Sequence, residues 1–246
     1  MPELRVHYLP REIERNALVG SAVVVIDLLR ATSTICQALA SGAVDVVPFL
    51  EIEEARVAAA AERATSGPHS VVLGGERHGK LIAGFDLGNS PSEYTPAAIR
   101  GKRLFLSTTN GTRALDHARE AKRVLCGSFL NLSALVASIE DEPRVDILCA
   151  GTDGVESRED ILAAGALVEK LVSGKHADWR LDARAQAALA EWQARSDNLA
   201  AELRESPGGR NLLEIGMDHD LVDCARIDTL SIAPELDIAA WRITAR

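Results

Sequence analysis

Seven short apolar runs recur along this chain: Leu4 to Tyr8, Val23 to Ile26, Val44 to Phe49, Val71 to Leu73, Leu104 to Leu106, Val124 to Cys126 and Val145 to Cys149. Stretches of helical composition and spacing separate most of them: Ala31 to Ala40, Glu51 to Ala64, Ala114 to Ala121, Leu132 to Ile139 and Asp160 to Val172. An apolar run of strand length that alternates with amphipathic helices points to parallel strands joined by right-handed crossovers. The pattern predicts a three-layer α/β fold, a mostly parallel sheet with helices on both faces. Ala, Val and Leu dominate while aromatics are only 4 % of the 246 residues, which favours aliphatic layers over an aromatic-rich β-sandwich.

The 27 basic and 36 acidic residues leave a net charge of −9, which argues against a nonspecific grip on nucleic acid or an anionic membrane surface. An anionic small substrate is compatible with that charge if local arginines or a divalent cation reverse the field inside the site. Met1 to Arg15 carries charges throughout, so it lacks the apolar core of an export signal. The uncharged stretch from Ala31 to Val44 falls short of the roughly 20 apolar residues that span a bilayer. A cytoplasmic location is expected. Cys36, Cys126, Cys149 and Cys224 lie far apart, without metal-ligand spacing, and read as small buried hydrophobes.

Ligands of parallel α/β sheets bind beyond the carboxyl ends of the strands, and here those ends are polar. Asp27, Arg30 and Thr32 follow Val23 to Ile26; Gly74, Gly75, Glu76 and Arg77 follow Val71 to Leu73; Ser107 to Thr112 follows Leu104 to Leu106. Gly127, Ser128 and Asn131 follow Val124 to Cys126, and Gly151 and Thr152, then Glu159 and Asp160, follow Val145 to Cys149. Thr108, Thr109, Asn110, Gly111 and Thr112 stand between a strand and a helix, where free N–H groups and the helix dipole suit a phosphate. An ordinary Asn-Gly turn with a Thr cap is the competing account.

Asp27 at a strand end suits a metal ion or a reactant, although it would equally cap the next helix. Gly74 to Lys80 matches the first seven positions of a nucleotide-binding P-loop, but Leu81 stands where Ser or Thr is required and Gly84, Gly88 and Pro91 interrupt the helix that should follow. Taken without that template, the glycines let backbone approach a ligand, Glu76 offers a carboxylate, and Arg77 a bidentate fork for an oxyanion. Asp86, in the polar turn Gly84 to Pro91, is a further metal candidate beside Asn89 and Ser90. Glu159 and Asp160 open a helix, where acids also favour the dipole. The six histidines show no metal-ligand spacing, and only His78, inside the glycine turn, is a candidate acid or base.

Beyond Trp179 a long helix is expected from Arg180 to Glu205, with Leu181, Ala185, Leu189, Trp192, Leu199 and Leu203 on one stripe. Pro207, Gly208 and Gly209 break it. Residues 1–246 are treated as one domain with a helical excursion over 179–215, and the Trp192 face offers a surface for a homodimer.

Taken together, Asp27-Leu-Leu-Arg30-Ala31-Thr32, Gly74-Gly-Glu-Arg77, Gly84-Phe-Asp-Leu-Gly-Asn-Ser-Pro91, Thr108-Thr-Asn-Gly-Thr112 and Glu159-Asp160 resemble the 2-phosphosulfolactate phosphatase family. The resemblance runs from about Val23 to Val172 and more weakly to Asp220. It implies a Mg²⁺-dependent phosphatase that releases phosphate from 2-phosphosulfolactate, leaving sulfolactate, a step toward coenzyme M. From the charges of such a substrate, Asp27, Glu76, Asp86 and Asp160 are assigned to the metal and its water. Arg30, Arg77 and the threonine turn are assigned to the oxyanions, with Thr32, Asn89, Ser90, Gly151 and Thr152 completing the substrate site. An aspartyl-phosphate route is less favoured because Leu29 occupies the second position of an Asp-x-Asp pattern. A Mg²⁺-dependent binder of anionic metabolites without catalysis is the main alternative, and an NTP-using enzyme a weaker one.

Overall fold

A computed structural model describes residues 1–175 and 178–245. The first half runs β1 (Glu3–His7), β2 (Ala22–Ile26), α1 (Ala31–Ala40), β3 (Asp45–Pro48), α2 (Ile52–Ser66), β4 (Val71–Arg77), β5 (Lys80–Leu81), α3 (Pro96–Ile99), β6 (Arg103–Ser107) and α4 (Gly111–His117). The second half runs β7 (Arg123–Gly127), α5 (Leu132–Ile139), β8 (Arg144–Cys149), α6 (Arg158–Val172), β9 (Arg180–Leu181), α7 (Ala183–Arg195), α8 (Leu199–Arg204), α9 (Pro207–Glu214), α10 (His219–Cys224), β10 (Glu235–Asp237) and β11 (Arg242–Thr244).

The strands are ordered β5-β4-β6-β3-β11-β10-β7-β2-β8-β1-β9. Strands β4, β6 and β3 form one parallel block, and β7, β2, β8, β1 and β9 another. The carboxyl-terminal hairpin β10–β11 joins them through antiparallel pairings. The α/β class and mostly parallel sheet expected from the alternating pattern are present, but this hairpin comes from the weakly patterned tail. Glu235 on β10 holds Arg123 of β7, and Trp241 donates from Nε1 to the Pro48 carbonyl at 2.8 Å.

Strand β2 shows how the layers arise. All five of its residues are buried; Val24 and Ile26 pack with α5, α6 and α7 residues, whereas Val23 and Val25 pack with Ile35, Leu39 and Leu115 on the other face. A strand buried on both sides requires an uninterrupted apolar run, which Ala22 to Ile26 supplies. A third core joins α2 through Ala55 and Ala59 to Val71, Leu73 and Phe105.

Two expectations change. The Gly74–Arg77 segment is not a phosphate loop but the end of β4, paired with β6 through Gly75 opposite Ser107. A Cβ on Gly74 would strike the Tyr94 hydroxyl, and one on Gly75, at φ +142, the Ser107 carbonyl. Close strand packing therefore demands these glycines; the turn comes later, at His78 and Gly79, both at positive φ. The expected long helix from Arg180 is also divided. Arg180 and Leu181 form the edge strand β9, Asp182 caps α7 by accepting from Ala185 N–H at 2.7 Å, and Ser196–Asn198 forms a 3₁₀ turn before α8. Ser, Asp and Asn compete for backbone hydrogen bonds, which explains the interruption. The Trp192 face is used within the chain: its indole lies 5.6 Å from the Phe129 ring and donates to Glu169 at 2.6 Å. Among the described residues no helix is long and apolar enough to cross a membrane.

Candidate active site

Asp27 leaves β2 at the point where α1 must begin, and its side chain is tied to that junction. Its Oδ1 accepts from Ala31 N–H at 3.1 Å, while the Thr32 hydroxyl accepts from Asp27 N–H at 3.1 Å and donates to the Asp27 carbonyl at 2.9 Å. Thr32 is thus committed to the backbone and offers no free donor to a substrate. Gly111, at the start of α4, lets the threonine turn approach: a Cβ there would lie 2.9 Å from Asp27 Oδ2 and collide with Ala31.

Glu76 links the second and third strand ends. One carboxylate oxygen accepts from Thr109 N–H and the other from Gly79 N–H, both at 2.7 Å. Arg30, joined to Leu29 by a cis peptide bond, donates from Nη1 to Asp220 Oδ2 at 2.6 Å and from Nη2 to the Gly79 carbonyl at 2.7 Å. Asp27, Arg30, Glu76, Asn89, Thr109, Asn110 and Thr152 line one cleft. Five strand ends do not contribute equally; those of β2, β4, β6 and β8 supply this lining.

Within the cleft, the Thr109 hydroxyl and Asn89 Oδ1 are buried without a hydrogen-bond partner. Buried polar atoms are almost always paired, so these two are the atoms best explained by a bound ligand. The rest of the threonine turn is committed internally. Thr108 Oγ1 accepts from Thr112 N–H at 3.2 Å and Thr112 Oγ1 donates to the Thr108 carbonyl at 2.8 Å. Of the three hydroxyls assigned to phosphate, that of Thr112 is used as a donor, that of Thr108 only as an acceptor, and that of Thr109 has no partner.

Other assignments are redirected. Arg77 donates to Ser107 Oγ and to the carbonyls of Leu50 and Glu76, because the β4–β5 hairpin turns its side chain to a neighbouring groove; it does not line the cleft. Asp86 Oδ2 accepts from Arg63 at 2.6 Å and from Leu73 N–H at 2.8 Å, in another groove, which removes it from the metal set. Replacing Asp86 by Asn is expected to leave phosphatase activity within about twofold of wild type while lowering the melting temperature slightly; a large loss of activity in the folded protein would restore it to the site. Asp160 accepts from Leu28 N–H at 2.8 Å and Gly151 N–H at 3.0 Å, so it and Gly151 tie the ends of β2 and β8 together behind the cleft. Ser90 donates to Asp220 and so reaches the cleft only through Arg30.

His78, the one histidine the sequence offered as an acid or base, lines the cleft, whereas sequence patterns did not single out Asp153, Gly208, Asn211 and Leu212 as lining residues, nor Asp220 as the partner of Arg30. Pro207-Gly208-Gly209, read as a break, opens α9 instead, with Ser206 Oγ accepting from Gly209 N–H. Gly208 N–H donates to Glu159 Oε1 at 3.0 Å. Ser206 at the cap with Pro207 at the first helical position is a helix-start signal that could have been recognised.

Electrostatics dominate here. Burial pushes the Asp27 carboxyl up to about 7, opposed by the Ala31 N–H bond and reinforced by the charges of Glu76 and Glu159. Burial likewise raises Asp160, with the Asp27 and Glu159 charges adding to it, and burial raises Glu159. Because the folded chain holds Asp27 above its ordinary 3.8, this carboxyl favours folding fully below that value and loses its contribution as pH rises through about 7. In EDTA, Asp27→Asn is therefore expected to gain melting temperature over wild type between pH 5 and pH 8, by roughly 5 °C. A constant difference across that range would contradict the burial of a charge-bearing Asp27.

Among the described residues no group of three His, Cys, Asp or Glu side chains is arranged to enclose a metal ion. Mg²⁺ does not need one, since it is held by one or two carboxylates together with water and substrate phosphate. Asp27 and Glu76, two carboxylates that line the same cleft, suit such a cation.

A family model described as 2-phosphosulpholactate phosphatase matches residues 7–238. The chain is 42% identical over 230 residues to the probable 2-phosphosulfolactate phosphatase of Parasynechococcus marenigrum (strain WH8102), covering 92% of this chain and 93% of that one. It is 42% identical over 219 residues to the protein of that name from Symbiobacterium thermophilum, covering 88% and 91% of the two chains. For the Caldanaerobacter subterraneus subsp. tengcongensis protein of the same name the identity is 41% over 216 residues, covering 87% of each. A match spanning every cleft-lining element, together with relatives of this identity and coverage, places the chain in the 2-phosphosulfolactate phosphatase family.

Proposed function

We propose that this protein is a Mg²⁺-dependent phosphomonoester hydrolase that converts 2-phosphosulfolactate and water to sulfolactate and phosphate in the cytoplasm. Family membership supports the reaction class and the substrate named for the relatives. The metal requirement rests on one observation. Among the described residues, Asp27, Glu76 and Asp153 line the cleft against a single guanidinium, Arg30, which Asp220 already neutralises. A substrate carrying phosphate, carboxylate and sulfonate cannot settle against that charge without a cation.

Mg²⁺ held by Asp27 and Glu76 would supply charge neutralisation and an activated water. The chain's own groups have separate tasks. The free N–H groups of Arg30 and the Thr109 hydroxyl bind phosphoryl oxygens, and Thr109 N–H keeps Glu76 in place. Gly111 and Thr32 hold the turn and the Asp27 junction so that these groups need not reorganise as negative charge shifts toward the leaving oxygen. Hydrolysis transfers hydroxide to phosphorus, breaks the ester P–O bond and leaves the alcohol oxygen protonated.

A phosphate-release screen over phosphorylated 2-hydroxy acids tests this. 2-Phosphosulfolactate is expected to be turned over with the highest kcat/KM, and the carboxylate-only analogue phospholactate more slowly. Binding of these esters with no release of phosphate from any of them would favour the non-catalytic binder instead.

A further inference from the structure

We infer that Asp220, on helix α10 near the end of the chain, is a positioning residue that fixes the Arg30 guanidinium toward the phosphoryl group. This rests on the phosphatase assignment above. Asp220 is fully buried and Arg30 is 3 % exposed, and they meet at 2.6 Å. The second Asp220 oxygen accepts from the Ser90 hydroxyl and lies 3.3 Å from His219 Nε2. The other terminal nitrogen of Arg30 is held by the Gly79 carbonyl at 2.7 Å.

A guanidinium has five N–H donors in one plane. One donor on each terminal nitrogen is used, by Asp220 and by Gly79, and three are not used by these partners. The plane of the fork is thereby set from two sides, by a helix 190 positions away in sequence and by the tip of the β4–β5 hairpin.

A buried ion pair is weak evidence for stability, because removing two charges from water costs about as much as their attraction returns. Its place on the wall of a cleft points to another use. Among the described residues Arg30 is the only arginine or lysine that lines the cleft, and Asp220 lessens its attraction for an anion. What Asp220 adds is orientation, which a free arginine on a flexible stem would give up entropy to achieve each time substrate binds.

These two effects have opposite signs, so they can be separated. Asp220→Asn makes the cleft one charge more positive. A purely electrostatic role predicts tighter binding of inorganic phosphate in the presence of Mg²⁺; the clamp predicts weaker binding. We expect Asp220→Asn to lower kcat/KM on the order of 10- to 100-fold, to raise the Kd for inorganic phosphate, and to add less than about twofold when Arg30→Gln is already present. Tighter or unchanged phosphate binding, or losses that multiply in the double variant, would overturn the proposal.

If Asp220→Asn does not fold, Ser90→Ala replaces it, removing a hydrogen bond to Asp220 while keeping the charge pair. A fall in phosphate affinity that disappears in the Arg30→Gln background supports the clamp, and no fall contradicts it. Should wild-type protein bind inorganic phosphate yet hydrolyse no ester, the phosphatase assignment fails while the binding measurements still decide the role of Asp220.

Discussion

Replacing Asp27 by Asn is expected to lower kcat/KM by roughly three orders of magnitude, with Mg²⁺ affinity falling in parallel. Asn retains the oxygen that accepts from Ala31 N–H, so the start of α1 should survive. It loses the negative charge that, with Glu76, would hold the proposed cation. The same substitution removes a carboxyl that burial holds near 7, so the inactive variant should also be the more stable one in EDTA at pH 8. Loss of activity with a gain in stability is the mark of a group kept for function against its folding cost. Measurement of both properties on one preparation checks this. Normal Mg²⁺ affinity in an inactive Asp27→Asn would contradict the metal role and point to Asp27 as the nucleophile.

Gly75→Ala carries the largest expected effect on folding. Its Cβ would meet the Ser107 carbonyl, a backbone atom that cannot move without breaking the β4–β6 ladder, and φ of +142 is itself unfavourable for alanine. A loss of about 3 kcal/mol or more is expected, read as a lower denaturation midpoint in urea. Both neighbours of that ladder position enter the cleft network: Glu76 follows Gly75, and Thr109 lies two residues beyond Ser107. Activity should therefore fall even in the folded fraction. A phosphate loop at Gly74–Lys80 would instead tolerate the change in the fold while losing ligand affinity. Wild-type stability in Gly75→Ala would show that β4 is misplaced.

The layers were legible because burial on both sides of a parallel sheet needs runs such as Val23 to Ile26, which few other structures produce. The rim was legible for the same reason: a strand end is where polar residues must appear, and Asp27, Glu76 and Thr109 appear there. What could not be read was direction. Arg77 looks like an anion fork in sequence, but a hairpin sends successive side chains to opposite faces, and Glu76 took the inward one. Asp86 had the correct residue type and the wrong neighbour, Arg63, which is distant in sequence and meets it only in the fold. Thr108 and Thr112 bond to each other within the turn. Asp220 was one of three similar acids, Asp218, Asp220 and Asp223, and nothing local marks it as the one that is fully buried. The β10–β11 hairpin escaped notice because each strand has three residues, too few for a period of two to stand out.

The central claim is that an anionic cleft accepts its phosphate ester only when a divalent cation joins Asp27 and Glu76. The direct measurement is phosphate release from 2-phosphosulfolactate by one enzyme sample first stripped with EDTA, then supplied with Mg²⁺. Release absent after stripping and restored by Mg²⁺ in wild type, but not in Asp27→Asn, is the predicted result. Equal release with and without metal would contradict it.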